Sequence, residues 1–434
     1  MKKLFFLTVF TIASTLVSAQ PITVQDSLSM KPGNVQDVYY NLKSGNKDTV
    51  IGNNWHIAFS VRPSIPPSNT MQGATVKIND GRGTSLYKSN FTSSNWEQFD
   101  TAGWKTWKQT YNGDTSWDIG AFNDGYNFAS MSVADYGWGT YTYVDPSHNV
   151  IGTKVFLAVI GTSNFKKICI QRNEADTQWV FSFSNIDGSD SNSVTIKKKE
   201  YAGKLFAYYN LITKTAIDRE PSANSWDLLF TKYKAPVSLG GPPVMYPVVG
   251  VLQNPKVQAA KYFGGDIDSV GPKPMPPYSK NCNILDWTWK EIAMAPGNVP
   301  IVDSLAFFVK SPLDTLADYK IIFTNYFANS TRQNIAFKKT IFMRPLLGLN
   351  ETIEKSNQFL VYPNPANEVI NISISNFENK VSGNAIVSDI TGKELAKKEI
   401  NNATNFDLSG FGSGIYFIKI EWNGKTEFHK FIKQ

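Results

Sequence analysis

The residues able to do acid–base, nucleophilic or metal chemistry are few, and their spacing is uninformative. There are three histidines (His56, His148 and His429) and two cysteines (Cys169 and Cys282). The cysteines lie far apart and fit neither a C-x-x-C motif nor a zinc-ligand spacing. Cys169 sits in Lys166-Lys167-Ile168-Cys169-Ile170, a strand-like run, so a buried thiol acting as a small hydrophobe is expected. One disulfide joining two domains is the alternative. No G-x-S-x-G, H-E-x-x-H, phosphate loop or dinucleotide fingerprint appears. A Ser-His-Asp site could form only around His56 or His148, and no nucleophile signature flanks either. A glycosidase carboxylate pair is set in space and leaves no local motif, so a hydrolase is the third-ranked function. Asp187 and Asp190, in Asp187-Gly188-Ser189-Asp190-Ser191-Asn192, supply oxygens for a weak Ca²⁺ site, against a plain solvated turn. The expectation is a protein that is not an enzyme.

Aromatic side chains are the other chemical resource. Trp104, Trp107, Trp117, Tyr136, Trp138 and Tyr141 crowd one stretch, several beside glycine. They can close the top of a β core, or form a pocket for a flat apolar ligand or a sugar.

The elements that position these residues read as strands. Lys154–Ile160, Gln178–Phe183 and Tyr319–Thr324 are β-branched and aromatic runs bounded by Gly, Asn and Ser. Asn79-Asp80-Gly81 and Asn112-Gly113 are hairpin-turn signals. No long amphipathic helix is present, and the class is mainly β. Tyr39-Tyr40-Asn41-Leu42 recurs as Tyr208-Tyr209-Asn210-Leu211. Trp55-His56-Ile57-Ala58-Phe59 recurs as Trp226-Asp227-Leu228-Leu229-Phe230. Lys154–Val159 and Phe165–Ile170 likewise match Ser304–Val309 and Asp318–Phe323 in order and character. Two related β-rich units, 30–200 and 201–344, follow from these landmarks. Alternation within each strand places Trp55 with Ile57 and Phe59, and His56 on the outer face.

Lys2 and Lys3, the apolar run 4–16 and Val17-Ser18-Ala19 read as a signal peptide, 1–19. No later run is long enough for a transmembrane helix. The formal charge of +7 includes those two lysines. Lys197-Lys198-Lys199 is the one dense basic run and reads as a solvated face, so a nucleic-acid partner has no support. Residues 345–359 form a polar linker before a module, 360–434, with short strands and a final hairpin turning at Asn423-Gly424, a small β-sandwich.

That module resembles the type A C-terminal sorting domain of the type IX secretion system. The residues that carry the likeness are Tyr362, Pro363, Asn364 and Pro365, the Asp389–Lys393 turn with Gly392, then Leu408-Ser409-Gly410, Gly414, Tyr416 and Lys430. The resemblance implies a Bacteroidota-type bacterium, export across both membranes by that machinery, and cleavage. It implies release, or attachment at the surface through anionic lipopolysaccharide. Delivery to the outer surface or the medium is expected.

The two repeats resemble the HmuY family of secreted β proteins. The carriers are Val38–Leu42, Asn54–Phe59, Val76–Gly81, Tyr208–Leu211 and Ser225–Thr231. His56 stands where the family usually has Asp; Asp227 keeps it. Some members bind haem through two His or two Met ligands, so haem is the cofactor the resemblance implies. No local motif transfers those positions. The candidates from chemistry are His148, Met131 and His56, with Met71 and Met245 behind them. The expected function is ligand binding, with haem implied. The alternatives are a glycan-binding or adhesive protein, or a structural surface protein. The oligomeric state is open.

Overall fold

A strand with one wet face alternates apolar and polar residues, whereas a strand buried on both faces reads as an unbroken apolar run. Gln36–Tyr40, Ile57–Ser60, Phe206–Asn210 and the first part of Leu228–Val237 are of the second kind, buried at nearly every position. The computed structural model explains why. It describes residues 20–63, 71–130, 132–147, 149–174, 177–272, 277–292, 296–344, 359–374, 382–401, 403–422 and 425–434. The chain divides into two units, Met1–Met343 and Arg344–Gln434.

The first unit stacks four sheets. One inner sheet runs in the order Thr215–Ile217, Phe206–Asn210, Ile57–Ser60, Val76–Ile78; the other runs Val244–Gln253, Leu228–Val237, Gln36–Tyr40, Lys47–Ile51. A nine-stranded outer sheet built on Lys154–Ile160, Asn164–Glu174 and Gln178–Ser184 covers the first. A six-stranded sheet built on Leu305–Lys310, Ala317–Ala328 and Gln333–Met343 covers the second. Three cores lie between the layers, and each inner strand feeds two of them. Ile57, Phe59, Ala207 and Tyr209 face the nine-stranded sheet. Val38, Tyr40, Leu228 and Phe230 face the six-stranded sheet. The intervening residues Tyr39, Ala58, Phe206, Tyr208 and Leu229 meet in the middle layer.

The two repeats exchange their hairpins. Gln36–Tyr40, from the first repeat, pairs with Leu228–Val237 of the second, with Tyr40 opposite Leu228. Phe206–Asn210, from the second, pairs with Ile57–Ser60 of the first, with Tyr209 opposite Ile57. The register is the same in both, so the landmarks are equivalent in space as well as in order. Ile22–Leu28 also crosses over, pairing along its whole length with the strand containing Ile335–Ile341. The sheets therefore do not separate at the 200/201 boundary between the expected units. One sandwich is built from residues 57–217, the other from 22–51 and 228–343.

The middle layer also revises the alternation argument. Trp55 and Trp226 precede their strands and turn away from Ile57 and Leu228 into the layer between the inner sheets. There each makes an edge contact with the exchanged tyrosine. Trp55 and Tyr208 have ring centroids 4.9 Å apart, Trp226 and Tyr39 5.0 Å. Such pairs contribute roughly 0.5–1.5 kcal/mol beyond area burial. The Asn79-Asp80-Gly81 turn is not a hairpin. Val76–Ile78 pairs with Ile57–Phe59 in the inner sheet, and the turn carries the chain to the outer strand Thr84–Thr92. Asn112 likewise caps a strand edge, accepting the Ile78 N–H at 3.1 Å and donating to the Ile78 carbonyl at 2.7 Å. Lys198 is buried over the Trp179 ring rather than solvated. Cys169 and Cys282 are both buried free thiols, each pushed up by burial, to about 11 and about 12.

The second unit is a seven-stranded β module around Phe359, Ile370, Val387, Ile418 and Phe431. Its last two strands, Gly414–Trp422 and Lys425–Lys433, form the expected hairpin, Trp422 opposite Lys425. Residues 423–424, most of the linker and the signal segment 1–19 lie outside the described residues. Among the described residues no helix is long and apolar enough to cross a membrane.

Candidate functional site

The middle layer of the first unit is incompletely filled. A cavity of ≈ 80 Å³ lies there, reached by Trp55, Lys77, Asp80, Trp117, Tyr208 and Tyr233 among others. Both repeats build it. Gly81 makes the close approach possible, since a Cβ at that position would overlap the Lys232 carbonyl oxygen. This contact seats the turn that carries Asp80 and Arg82 against the second repeat.

One wall is a closed ionic network. Asp37, 2% exposed, takes Arg82 Nη2 at 2.6 Å and the Thr231 hydroxyl at 2.7 Å on one oxygen, and Arg219 Nη2 at 2.5 Å on the other. Burial alone would lift Asp37, but Arg82 and Arg219 outweigh it and hold its carboxyl below the usual carboxylate range. Further guanidinium protons go to carbonyls: Arg82 Nε donates to Asn34 at 3.1 Å and Arg219 Nε to Ile51 at 3.1 Å. Arg219 also lies 4.9 Å above the Tyr208 ring. A network whose charges pair with one another acts as a rivet between repeats rather than as reactive chemistry.

The opposite wall is less satisfied. Lys77 Nζ faces the rings of Trp117 and Phe206 at 5.3 and 5.9 Å, and its one hydrogen bond, to the Ser116 carbonyl, is 3.4 Å long. Burial lowers its pKa. Asp80 accepts the Asn112 N–H at 3.2 Å, and burial pushes it up to about 6. The Tyr233 hydroxyl and Trp55 Nε1 are buried without a hydrogen-bond partner among the described residues. Trp117 is fixed by donating Nε1 to the Gln253 carbonyl at 2.7 Å. Next to this layer, Glu220 accepts the Phe206 N–H at 2.9 Å, and burial pushes it up to about 7.

The residues expected from sequence are dispersed. Tyr136, Trp138 and Tyr141 belong to the core under the nine-stranded sheet, and Trp138 Nε1 donates to the Ala74 carbonyl at 2.9 Å. Trp104 and Trp107 pack on the far face of that sheet, with Tyr87, Trp96, Phe99 and Phe165. Of the six aromatic candidates, Trp117 alone reaches the cavity. Their clustering in sequence is core closure on two faces of one sheet, not one pocket.

His56 is half-buried and its Nδ1 accepts the Leu211 N–H at 3.1 Å. Burial lowers it to about 4, so the ring is neutral. His148 and Met131 lie outside the described residues. Met71 is core, and Met245 is half-buried on the second inner sheet. Asp187 accepts from the Ser189 N–H and hydroxyl, while Asp190 pairs with Lys166 and Lys214. Two ammonium groups at Asp190 oppose a cation there, and among the described residues no cluster of three metal-ligating side chains occurs. Sequence reading missed Lys77, Asp80 and Tyr233, because the cavity forms only once strands from both repeats are brought together.

In the second unit the motif residues act as clamps. Asn364 donates Nδ2 to the Lys430 carbonyl at 2.9 Å and accepts the Ile432 N–H at 3.0 Å, so one amide continues the ladder of the final strand. Asp389 Oδ1 gathers the N–H groups of Thr391 and Lys393 at 2.8 and 3.1 Å, around Gly392 at φ +84°. Tyr416 stacks on Phe431 at 5.6 Å and donates its hydroxyl to the Gly412 carbonyl at 2.8 Å. Tyr362, Pro363 and Pro365 are exposed.

This is a small all-β module whose motif residues hold its own backbone. Residues 360–434 match the family described as a secretion system C-terminal sorting domain. They are a type IX sorting domain, which directs export to the cell surface or extracellular space. None of the curated proteins compared matches the chain. Among solved structures, a polysaccharide lyase is 8% identical over 88% of this chain, with a TM-score of 0.15. The chain spans about half of that protein, 46%, and a likeness this low carries no argument.

Proposed function

We propose that the exported cargo is a non-catalytic binding protein whose ligand occupies the cavity between the inner sheets. The observation that carries this reading is that both repeats build one partly open space whose lining leaves Trp55 Nε1 and the Tyr233 hydroxyl buried and unpartnered among the described residues. Buried polar atoms are otherwise satisfied in native proteins, so such groups point to a ligand or to ordered water. The charged groups closest to a reactive arrangement, Asp37, Arg82 and Arg219, are consumed by one another, which favours binding over catalysis. The test is a thermal-shift screen of the intact protein against small metabolites. A ligand that raises Tm in the parent and not in Ala58→Leu, which fills the cavity wall, supports the reading; no shift with any compound sinks it.

Haem remains the ligand that the HmuY resemblance implies. The residues that carry that likeness mostly pack the interior, so they speak for a shared core rather than for a porphyrin. A cavity of ≈ 80 Å³ is well below the roughly 300–1,000 Å³ of ordinary ligand pockets, so haem would need a surface cleft. Because His56 Nδ1 is engaged, His148 and Met131 are the ligands to test. A Soret shift lost in His148→Ala or Met131→Leu supports haem, and an unchanged spectrum at micromolar haem rejects it. Attachment through lipopolysaccharide after sorting is a further proposal, checked by the mass of the surface-bound form.

A further inference from the structure

We infer that the cavity between the inner sheets takes one small oxyanion, a short carboxylate or an inorganic anion such as phosphate, held by the Lys77 ammonium and the Tyr233 hydroxyl. This rests on the binding reading above and names the ligand class for the same cavity.

Charge supports the class. Five cationic side chains line the space against three carboxylates. Asp37 is already paired with Arg82 and Arg219. Lys77 has no carboxylate partner among the described residues and no hydrogen bond shorter than 3.4 Å. Asp80 and Asp118 act on the Lys77 ammonium without contacting it, so its desolvation is only partly offset, and an anion in the cavity relieves the rest. Donor chemistry supports it as well. Tyr233 is 9% exposed and its hydroxyl lacks a partner among the described residues, as does Trp55 Nε1. Both can donate, and an oxyanion can accept from either. Asp80, lifted by burial to about 6, is far easier to neutralise than an ordinary carboxylate, so it opposes an anion less.

Size limits the ligand. An apolar cavity of roughly 150 Å³ holds benzene, so about half that volume admits about three or four heavy atoms. Acetate, with four heavy atoms, fits this limit, and the compact five-atom phosphate sits at its edge; a sugar ring or a porphyrin does not fit. The indole of Trp117 offers the apolar wall that a methyl group would meet.

The test is calorimetric titration of the intact protein with acetate, with inorganic phosphate and with neutral acetamide, alongside Tyr233→Phe and Lys77→Met. Tyr233→Phe removes a hydroxyl that has no partner, so its unliganded stability should equal or exceed the parent's, which serves as the folding control. Acetate or phosphate binding at millimolar concentration, weakened about tenfold or more in Tyr233→Phe, supports the assignment; which anion binds more tightly identifies the source. Anion binding unaffected by either variant overturns it. Acetamide binding with no anion binding keeps the cavity as a binding site and overturns the anion. If none of the three binds, the anion assignment falls, and the thermal-shift screen decides the binding reading separately.

Discussion

His56 Nδ1 accepts the Leu211 N–H at 3.1 Å, and Asp227 Oδ2 accepts the Leu42 N–H at 2.7 Å. These are the same bond in the two repeats. The backbone N–H groups of His56 and Asp227 also donate to equivalent tyrosine carbonyls, Tyr209 at 3.0 Å and Tyr40 at 2.8 Å. The histidine that departs from the repeat pattern therefore performs the acidic residue's task, as a neutral ring with its proton on Nε2. His56→Asp should fold normally. His56→Ala should cost about 1–3 kcal/mol by stranding a buried N–H, measured by chemical denaturation. Folded His56 is lowered to about 4 from an ordinary 6.5, so its stabilisation is complete above 6.5 and is lost as pH falls toward 4. His56→Asp should shrink that acid-side loss; an unchanged profile would place the loss elsewhere.

Glu220 works in the opposite direction. Burial lifts it to about 7 from an ordinary 4.5, so its contribution to stability is complete below 4.5 and is lost as pH rises through 7. Glu220→Gln retains an oxygen for the Phe206 N–H and removes the titration. Its stability should be flat across that window and higher than the parent's above about pH 7. Paired denaturation curves for Glu220→Gln and His56→Asp separate the two slopes.

Asp37 is the point where the repeats are riveted. Asp37→Asn leaves the buried Arg82 and Arg219 without a counter-charge, and breaking a buried ionic group this way costs about 3–5 kcal/mol. Replacing all three by apolar residues should cost far less, because no charge is then stranded. A stability loss in Asp37→Asn no larger than that of the triple replacement would show that the network is incidental.

The β class, the repeat landmarks and the sorting module were legible because each leaves a local mark. Tyr39-Tyr40-Asn41-Leu42 and its copy mark equivalent hairpins, and Asn364 and Gly392 sit in motifs a few residues long. The exchange of hairpins left none. Tyr40 buries as well beside a strand of its own repeat as beside Leu228, and pairing between segments that distant is a global choice. Trp55 departs from simple alternation for a related reason. Alternation assumes one wet face, and the inner strands have none. The cavity escaped detection because Lys77, Tyr233 and Trp117 converge only after that exchange.

Asn364 should matter to export through the last strand it holds. Asn364→Ala removes two bonds to the backbone at Lys430 and Ile432, about 1–2 kcal/mol for a pair in an exposed setting. The extracellular fraction of the cargo should fall while the periplasmic fraction rises, with the first unit still folded by circular dichroism. Unchanged secretion would show that recognition does not read this end of the module.

The N-terminal segment should behave as a detachable part of the second sandwich. Ile22–Leu28 pairs along its length with the strand containing Ile335–Ile341, and Gln36–Ile51 fills two places in an inner sheet. Together they place Leu28, Met30, Val38, Tyr40 and Leu42 in the second core. Removing residues 20–51 leaves the first sandwich with all of its strands but strips the second of three. It also removes Asp37, so Arg82 and Arg219 are stranded at the interface. Hydrogen exchange on the truncated chain should therefore show protection kept in Lys154–Ile160 and Asn164–Glu174 and lost in Leu305–Lys310 and Ala317–Ala328. A peptide of residues 20–51 supplied in trans should restore the lost protection. Cutting the covalent link makes the pairing bimolecular and removes its effective concentration, so the rescue should depend on peptide concentration and saturate. Equal loss in both sandwiches, with no rescue by the peptide, would mean that the four layers unfold as one unit.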